Sequence, residues 1–276
     1  MNTSALHIFE VLRVLSRSRE PMGVSELSRR VGLSPSTAYR ALVTLEEARY
    51  LKRAPYSPKF TAGPMTQSLA RSLFRHFELR QAGHPAIQAL GSAVGGTVSL
   101  SMRVGWYAIR VLIVSPNQFI YAQHRLGETR ALHETMEGRA ILAEFDDDEA
   151  SRYRRFVRTH HPGSVREMER GAFWKDLRTI RTAGHATRES TELGVYDAAT
   201  SLRLPTGEPL AALLATSPLA GATRNSAKEL VAALRDARSS LEALMAAKPA
   251  AYVSRFSKLD PDQIFFPADL PEPAAG

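Results

Sequence analysis

Small hydroxyl side chains, one aromatic ring and one arginine are concentrated in a short segment that follows a glycine. The residues of this set are Ser34, Ser36, Thr37, Tyr39, Arg40 and Thr44. Hydroxyl groups and helix N-termini bind phosphate oxygens, and an arginine can bind either a phosphate or the edge of a guanine. These residue types could therefore recognise a nucleic acid in its major groove, provided that one helix presents them together.

The sequence around this set predicts such a helix. Ser34 is a favourable N-cap, and the proline after it fits the first helical position. The helix is expected to run over residues 35–47 and to bury Ala38, Leu42 and Leu45. Its outer face would then carry the hydroxyls and the arginine.

Two more helices are predicted upstream. Apolar residues at helical spacing indicate the first over residues 5–17. Ser25 is expected to cap the second, over residues 26–31, and Gly32 to end it as glycine does at a C′ position. Two short helices joined through Gly32 and Leu33 form a helix-turn-helix.

A wing is predicted after the third helix. Residues 50–53 and 59–61 are interpreted as two short strands around a turn with two prolines. Lys52, Arg53 and Lys59 would lie beside the phosphate backbone. The alternative is a three-helix module that binds protein, and the basic wing argues against it.

The positive charge is confined to the first part of the chain. Residues 1–80 hold 13 lysines and arginines against 6 acidic residues, whereas residues 81–276 hold 23 against 22. A basic module joined to a nearly neutral one is typical of a polyanion-binding head on a body that binds something else. A merely basic surface would give the same numbers, so the charge supports the helix-turn-helix but does not establish it.

Length and composition limit the remaining possibilities. A chain of 276 residues with 44% hydrophobic residues fits two domains, each with its own core. It has no cysteine, which excludes disulfides, zinc ribbons and thiol catalysis. We recognise no secretory signal and no apolar segment of membrane-spanning length, so we expect a soluble, cytoplasmic protein.

The rest of the chain predicts an α+β body. A helix over residues 65–82 is expected to join the two domains. The predicted helices that follow cover residues 86–94, 136–145, 164–183 and 223–247. The predicted strands cover residues 97–104, 107–114, 119–123, 185–188, 195–204 and 210–215. Strands in a meander, then helices, then strands again indicate α+β rather than a parallel sheet.

Two groups of residues could suggest a metal site or catalysis. The acidic run over residues 146–149 is better explained as the start of a helix, where carboxylates are favourable. His133-Glu134-Thr135-Met136-Glu137 narrowly misses the zinc-protease pattern because Glu137 replaces the second histidine. The chain also has no phosphate-binding loop, nucleophile elbow or dinucleotide fingerprint. We therefore expect no enzyme, no metal and no cofactor.

Three segments carry a resemblance to a known family. VSELSRRVGLSPSTAYRALVTLEEARYLKR resembles the DNA-binding domain of the IclR (isocitrate lyase regulator) family. RALHETMEGRAILA resembles a family segment that usually has lysine at the place of Arg139, and TAGHATRESTELGVYDAATSLRLPTGEPLAALLATSP resembles a second signature. The resemblance extends over about residues 4–247. It implies a winged helix-turn-helix, a linker helix that helps dimerisation, and a GAF-like effector-binding domain.

The resemblance also implies an effector pocket. Its matching positions are Arg130, Met136, Glu137, Thr187, Asp197, Leu214 and Thr216. Met136 and Glu137 would offer backbone amides at a helix start. Arg130 stands where the family commonly has a hydrophobic residue, and Asp197 where it commonly has cysteine or another small residue. Because a pocket with one or two arginines would suit an organic acid, we expect an organic, possibly aromatic, acid as effector.

Several points about this pocket stay open from the sequence. Arg130 and Arg188 could equally be surface arginines, and Asp197 could contact a ligand or pair with an arginine. Thr187 and Arg188 cannot both face the pocket, because neighbours on a strand point to opposite sides.

The predicted organisation has four parts. Residues 1–63 form the winged helix-turn-helix, 64–82 the linker and dimerisation helix, 83–250 the effector domain and 251–276 a proline-rich extension that the resemblance does not explain. The expected partners are double-stranded DNA with a near-palindromic operator, a small-molecule effector and further copies of the chain, as a homodimer or a dimer of dimers. The alternative is a DNA-binding dimer whose C-terminal domain is only an oligomerisation scaffold.

Overall fold

A computed structural model of the chain describes residues 3–18, 20–66, 68–69, 78–115, 125–219 and 224–247. The chain divides into two compact units, Met1–Phe77 and Glu78–Gly276, which are described separately. The division falls inside the predicted linker, part of which lies outside the described residues. The predicted strand over 119–123 and the extension over 251–276 also lie outside them. The predicted domain boundaries stay a prediction.

Within its described residues up to 62, the N-terminal unit consists of three helices and a small antiparallel hairpin. Its elements are α1 (Thr3–Arg17), α2 (Val24–Val31), α3 (Pro35–Glu47), β1 (Leu51–Arg53) and β2 (Phe60–Ala62). The core includes Val11, Leu27, Leu42 and Phe60, all fully buried. Ala38, Leu42 and Leu45 line the buried side of α3 as predicted.

The start of α2 differs from the prediction. Gly23, rather than Ser25, is the N-cap, so no side chain caps the first turn of α2. The backbone of Met22 forms two hydrogen bonds with that of Phe60, which anchors the chain directly ahead of the helix. Gly32 ends α2 at φ 67°, a left-handed conformation that glycine adopts without strain, as predicted.

The C-terminal unit combines one sheet with helices. Its helices are α4 (Glu78–Val94), α5 (Met136–Leu142), α6 (Asp147–His160), α7 (Val165–Met168), α8 (Gly171–Ala183) and α9 (Arg224–Ala246). Its strands are β3 (Thr97–Val104), β4 (Tyr107–Val114), β5 (Thr129–Ala131), β6 (Ala186–Ser190), β7 (Val195–Arg203) and β8 (Pro209–Pro218). Two 3₁₀ turns, Leu132–Glu134 and Pro162–Ser164, precede α5 and α7.

The six strands form one antiparallel sheet in the order β5-β4-β3-β8-β7-β6. Helices cover both of its faces. On β7, Thr200 accepts a hydrogen bond from Arg238 of α9 at 3.2 Å, whereas the next residue, Ser201, donates to Glu144 beyond α5 at 2.7 Å. Because neighbouring strand residues point to opposite faces, α9 and α5 lie on opposite sides of the sheet.

Three elements of this unit depart from the sequence prediction. The helix expected over 86–94 is the end of the longer α4, which continues through Pro85 because it packs closely on α9, where Gly83 meets Leu241. The single helix expected over 164–183 is interrupted before α8, where Arg170 has extended backbone. The strand β5 was not predicted, since three residues are too few to show alternation.

The acidic run behaves as expected from helix capping. Asp146 accepts a hydrogen bond from the backbone N–H of Glu149 at 2.8 Å, and α6 begins at the next residue. A buried aromatic cluster with mostly edge-on contacts consists of Trp106, Phe145, Tyr153 and Phe156.

No helix in the described part of the chain has the length and apolar character needed to cross a bilayer.

Candidate functional sites

One face of α3 carries the side chains that were selected for DNA recognition. Ser36, Tyr39, Arg40 and Thr44 are all exposed and follow one another at i, i+3, i+4 and i+8, which places them on one side of the helix. Arg40 makes no ion pair with any described residue. Its guanidinium is therefore available to a base edge or a phosphate.

The start of α3 is a cluster of three hydroxyl groups. Ser34 accepts a hydrogen bond from the backbone N–H of Thr37 at 3.2 Å, which caps the helix as predicted. Its oxygen also lies 3.0 Å from that of Ser36 and 2.9 Å from that of Thr37. Thr44 instead donates to the carbonyl of Arg40 at 2.9 Å. The first turn therefore combines exposed hydroxyls with the positive end of a helix, a combination that suits a phosphate.

The hairpin has the geometry of a wing, and its three basic residues differ in availability. Lys52 and Lys59 are exposed. Arg53 donates to Glu46 of α3 at 3.1 Å and its guanidinium lies over the ring of Phe60, with 4.7 Å to the centroid. Its charge is thus partly balanced, and Arg53 supports the wing as much as it can contact DNA.

The wing tip presents an aromatic residue that sequence reasoning did not select. Tyr56 is fully exposed and has φ 57°, a conformation that is uncommon for bulky residues. The signal in the sequence is its position between the two prolines of the turn.

The side of the large sheet that faces α5 carries several polar side chains, whereas most of the residues around them are apolar. Residues paired across antiparallel strands share a face, and the register places Ser99, Leu214 and Ala199 on that side. Ser101, Arg110, Thr216, Asp197 and Arg188 belong to the same face. We call these eight residues together the polar face.

The buried carboxylate of Asp197 lies at one end of the polar face. It accepts hydrogen bonds from Thr216 at 2.7 Å and from the guanidinium of Arg188 at 2.7 Å. The side chain of Asp197 is only 6% exposed, whereas that of Arg188 is 55% exposed. Of the two interpretations left open by the sequence, the pair with an arginine is therefore present.

A fully buried ion pair lies near the middle of the sheet. Glu137 of α5 accepts hydrogen bonds from Arg110 at 2.6 Å and from Ser101 at 3.3 Å, and Arg110 also donates to Glu128 at 2.6 Å. Arg110 and Ser101 were not selected from the sequence. The available signal was that Arg110 is the one charge in the strand YAIRVLIV.

Two polar atoms of this region remain unsatisfied. Ser99 Oγ and Arg110 Nε are buried and make no hydrogen bond within the described part of the chain. Buried polar groups are nearly always paired in folded proteins, so each orphan needs an explanation. A small polar ligand under α5 would provide one.

The other residues expected in the pocket are distributed differently. Leu214 is buried on the polar face, and Met136 is buried at the start of α5. Thr187 pairs with Ala198, which puts it on the face opposite the polar face and corrects its expected placement, whereas Arg188 belongs to the polar face. Arg130 lies on β5, half exposed, and is paired with Glu128 at 3.2 Å.

The start of α5 is held by the chain itself. Thr135 accepts a hydrogen bond from the backbone N–H of Gly138 at 3.0 Å. Gly138 has no room for a side chain, since an added Cβ would overlap the carbonyl oxygen of Leu132. The seat for a carboxylate at the amides of Met136 and Glu137 stays a prediction.

His133 lies directly before this helix and is buried. Its ring nitrogen Nδ1 lies 2.8 Å from the hydroxyl of Tyr153, which also accepts from the backbone N–H of His133 at 2.9 Å. Burial, together with nearby His161 and Arg139, lowers the pKa of His133 from 6.5 to about 4. Burial also raises the pKa of Tyr153 well above 10.0. Both groups are therefore neutral near pH 7.

Comparison with known families gives two matches along the chain. The model for the IclR helix-turn-helix domain matches residues 4–55. The model for the C-terminal domain of bacterial transcriptional regulators of the IclR type matches residues 72–243. The first match includes the exposed face of α3, and the second includes the polar face.

Individual proteins are similar at low identity. The HTH-type transcriptional regulator KdgR of Dickeya chrysanthemi is 26% identical over 171 residues, which are 60% of this chain and 56% of KdgR. The aligned part of the chain thus spans little more than half the length of that relative. A solved IclR-type transcriptional regulator from Alicyclobacillus acidocaldarius has a TM-score of 0.73 at 20% identity and covers 89% of this chain and 99% of its own.

Another solved structure is described with a ligand. An IclR homologue from Microbacterium hydrocarbonoxydans, complexed with 4-hydroxybenzoate, has a TM-score of 0.72 at 22% identity. The match covers 89% of this chain and 100% of the homologue. At these identities, the solved structures show that the fold is shared.

Proposed function

Because the chain belongs to the IclR family of transcriptional regulators, we propose that a small organic acid binds at the polar face and controls its attachment to operator DNA. The family establishes a DNA-binding transcription regulator and not an enzyme. The effector and its site are the proposed part. The cytoplasm, where bacterial DNA is found, is the proposed location.

One observation carries the effector proposal. Apart from Arg188, the polar face is buried, yet Ser99 Oγ and Arg110 Nε have no partner among the described residues. A polar ligand at this position would satisfy atoms that the protein itself leaves unpaired, which supports a binding site rather than a plain core.

The chemistry of the face favours an acid that also has a hydroxyl group. Arg188 and Arg110 can each hold a carboxylate, as they hold Asp197 and Glu137 in the structure. Asp197 can accept a hydrogen bond from a ligand hydroxyl.

The DNA side of the proposal rests on the exposed face of α3. We propose that Ser34, Ser36, Thr37, Tyr39, Arg40 and Thr44 contact the major groove, with Lys52, Arg53 and Lys59 on the backbone. A homodimer, or a dimer of dimers, would place two copies of α3 in successive major grooves of a near-palindromic operator. Half-sites would lie about one or two helical turns apart.

A thermal-shift screen tests the effector site. The full chain is screened against aromatic, keto and hydroxy acids, beginning with 4-hydroxybenzoate because of the ligand in the Microbacterium homologue. A ligand that binds the folded state raises the melting temperature. The shift is expected to disappear in Asp197→Asn, which keeps the size of the side chain, and to persist in Thr187→Ala on the opposite face.

A second function is favoured by a different observation. The ionised groups on the polar face are already paired with one another, since Arg188 binds Asp197 and Arg110 binds Glu137. A C-terminal domain that serves only as an oligomerisation scaffold would need no ligand for them. The absence of a shift with every acid, with operator binding intact, would favour this scaffold over the effector site.

A further inference from the structure

Two histidines and a glutamate converge just before α5, and none of them belongs to the polar face. One potential ligand atom from each of His133, Glu134 and His161 lies within 4.8 Å of the other two. His161 Nδ1 is 3.6 Å from a carboxylate oxygen of Glu134, and the two imidazole rings meet edge to face with 5.4 Å between centroids. Transition-metal sites use these side chains.

The ring of His133 is held in one orientation. Its Nδ1 lies 2.8 Å from the hydroxyl of fully buried Tyr153, which leaves Nε2 as the nitrogen that could bind a further group. That Nε2 is buried and has no hydrogen-bond partner among the described residues. Histidine ligands of metals commonly use one ring nitrogen for the ion and the other for such a supporting hydrogen bond.

The charges around the cluster are compatible with a cation. Glu134 supplies a carboxylate whose side chain is 30% exposed, which gives access from solvent. The guanidinium of Arg139 donates to the carbonyl of His133 and is itself paired with Glu167 at 2.9 Å.

We propose that His133, Glu134 and His161 bind one divalent transition-metal ion of the Zn²⁺ class. Two imidazole nitrogens and one carboxylate oxygen would be the protein ligands, with water in the fourth position of a tetrahedral site. In the sequence, His133 and Glu134 resemble the start of a zinc-protease motif. The second histidine of the proposed site is His161, which directly follows α6 and does not lie on the same helix as the first two ligands.

Such an ion would cross-link two segments of the C-terminal unit. It would join the turn Leu132–Glu134 to His161, which directly follows α6. That turn leads straight into α5, whose second residue is the buried Glu137. The ion would therefore stabilise the start of the helix that covers the polar face.

The test uses the full chain after removal of metal with a chelator and exhaustive dialysis. Zn²⁺ is titrated in competition with a chromophoric chelator, and Co²⁺ is added separately because its absorption spectrum reports tetrahedral coordination. We expect one Zn²⁺ per chain, a rise in melting temperature with added Zn²⁺, and tetrahedral Co²⁺ bands.

Two variants and one matched control assign the ligands. Glu134→Gln and His161→Gln are expected to weaken Zn²⁺ binding by about 10-fold or more. His160→Gln removes the neighbouring histidine, whose ring is directed to the carbonyl of Phe156, and is expected to bind as the unmodified chain does. Circular dichroism checks folding, and Glu134→Gln alone decides the matter if His161→Gln does not fold.

Three outcomes overturn the proposal. One is the lack of saturable Zn²⁺ binding by the unmodified chain. Another is equal affinity in Glu134→Gln and the unmodified chain. The third is an equal loss in His160→Gln, which would assign binding to other histidines of the chain.

Discussion

Arg40 is the residue whose position says most about DNA recognition. It is exposed on the same side of α3 as Ser36 and Thr44, and it makes no ion pair with a described residue. Arg53, by contrast, is paired with Glu46 and covers Phe60. In the proposed recognition face, a guanidinium without an ion-pair partner would suit a guanine edge, where it can form two hydrogen bonds.

The substitution Arg40→Ala is expected to weaken operator binding by about 1–3 kcal/mol and to relax the preference at one base pair. The operator is first selected from random duplexes, and affinities are then measured by fluorescence anisotropy at one salt concentration. Lys52→Ala provides the comparison, because loss of a phosphate contact should weaken binding to all sequences alike. Unchanged affinity and selectivity in Arg40→Ala would remove Arg40 from the recognition face.

The buried ion pair of Arg110 and Glu137 limits which variants can test the effector site. Arg110 and Glu137 are far apart in sequence and only 2.6 Å apart in the structure. Removing one partner of such a pair leaves an uncompensated buried charge, which is strongly destabilising. For this reason the effector test uses Asp197→Asn, which keeps a hydrogen-bonding side chain, rather than truncation of Arg110.

Among the elements, α5 is the one whose placement depends most on close packing. It has only seven residues, and its cap, Thr135, accepts from the N–H of Gly138. Gly138 in turn lies directly against the backbone of Leu132. The turn before α5 and the helix itself are therefore one tightly packed unit beside the polar face.

The substitution Gly138→Ala is expected to destabilise the C-terminal unit by about 1–3 kcal/mol, since the new methyl group would overlap a backbone carbonyl. Urea denaturation followed by tryptophan fluorescence reports on this unit, because both tryptophans, Trp106 and Trp174, belong to it.

Gly171→Ala is the matched control for that prediction. Gly171 begins α8 and has open space where a Cβ would be. The same change should therefore be neutral or slightly stabilising there. An equal effect of the two substitutions would contradict the packing argument for Gly138.

At the scale of the whole molecule, the uneven distribution of positive charge along the chain determines how DNA binding should depend on salt. The excess of positive charge lies in the part of the chain that contains the helix-turn-helix, and the remainder is nearly neutral. Phosphate contacts release counterions from DNA, so a basic head makes binding strongly salt-dependent. Effector binding, in contrast, should depend only weakly on salt.

The logarithm of the operator association constant is expected to fall steeply and linearly with the logarithm of salt concentration. The slope should correspond to roughly 6–10 phosphate contacts for the bound oligomer. Anisotropy titrations over a series of potassium chloride concentrations measure it, and sedimentation of the complex gives the number of chains bound. A flat response would argue against the proposed head.

Much of the N-terminal unit could be predicted from the sequence because its signals are local. Apolar spacing defined the inner side of α3, Ser34 defined its start, and Gly32 marked the end of α2 through its left-handed backbone. The different start of α2 is associated with a backbone bridge between Met22 and Phe60. Sequence neighbours carry no information about such a bridge.

The face of each strand in the C-terminal sheet was decided only by the tertiary structure. Helices cover both sides, so β8 is buried along nearly all its length and shows no apolar alternation from which to infer a direction. The register then separated Thr187 from Arg188. The sequence determined the family, the two modules and the recognition helix, whereas the polar face and the His133–Glu134–His161 cluster depend on contacts between distant segments that no local pattern encodes.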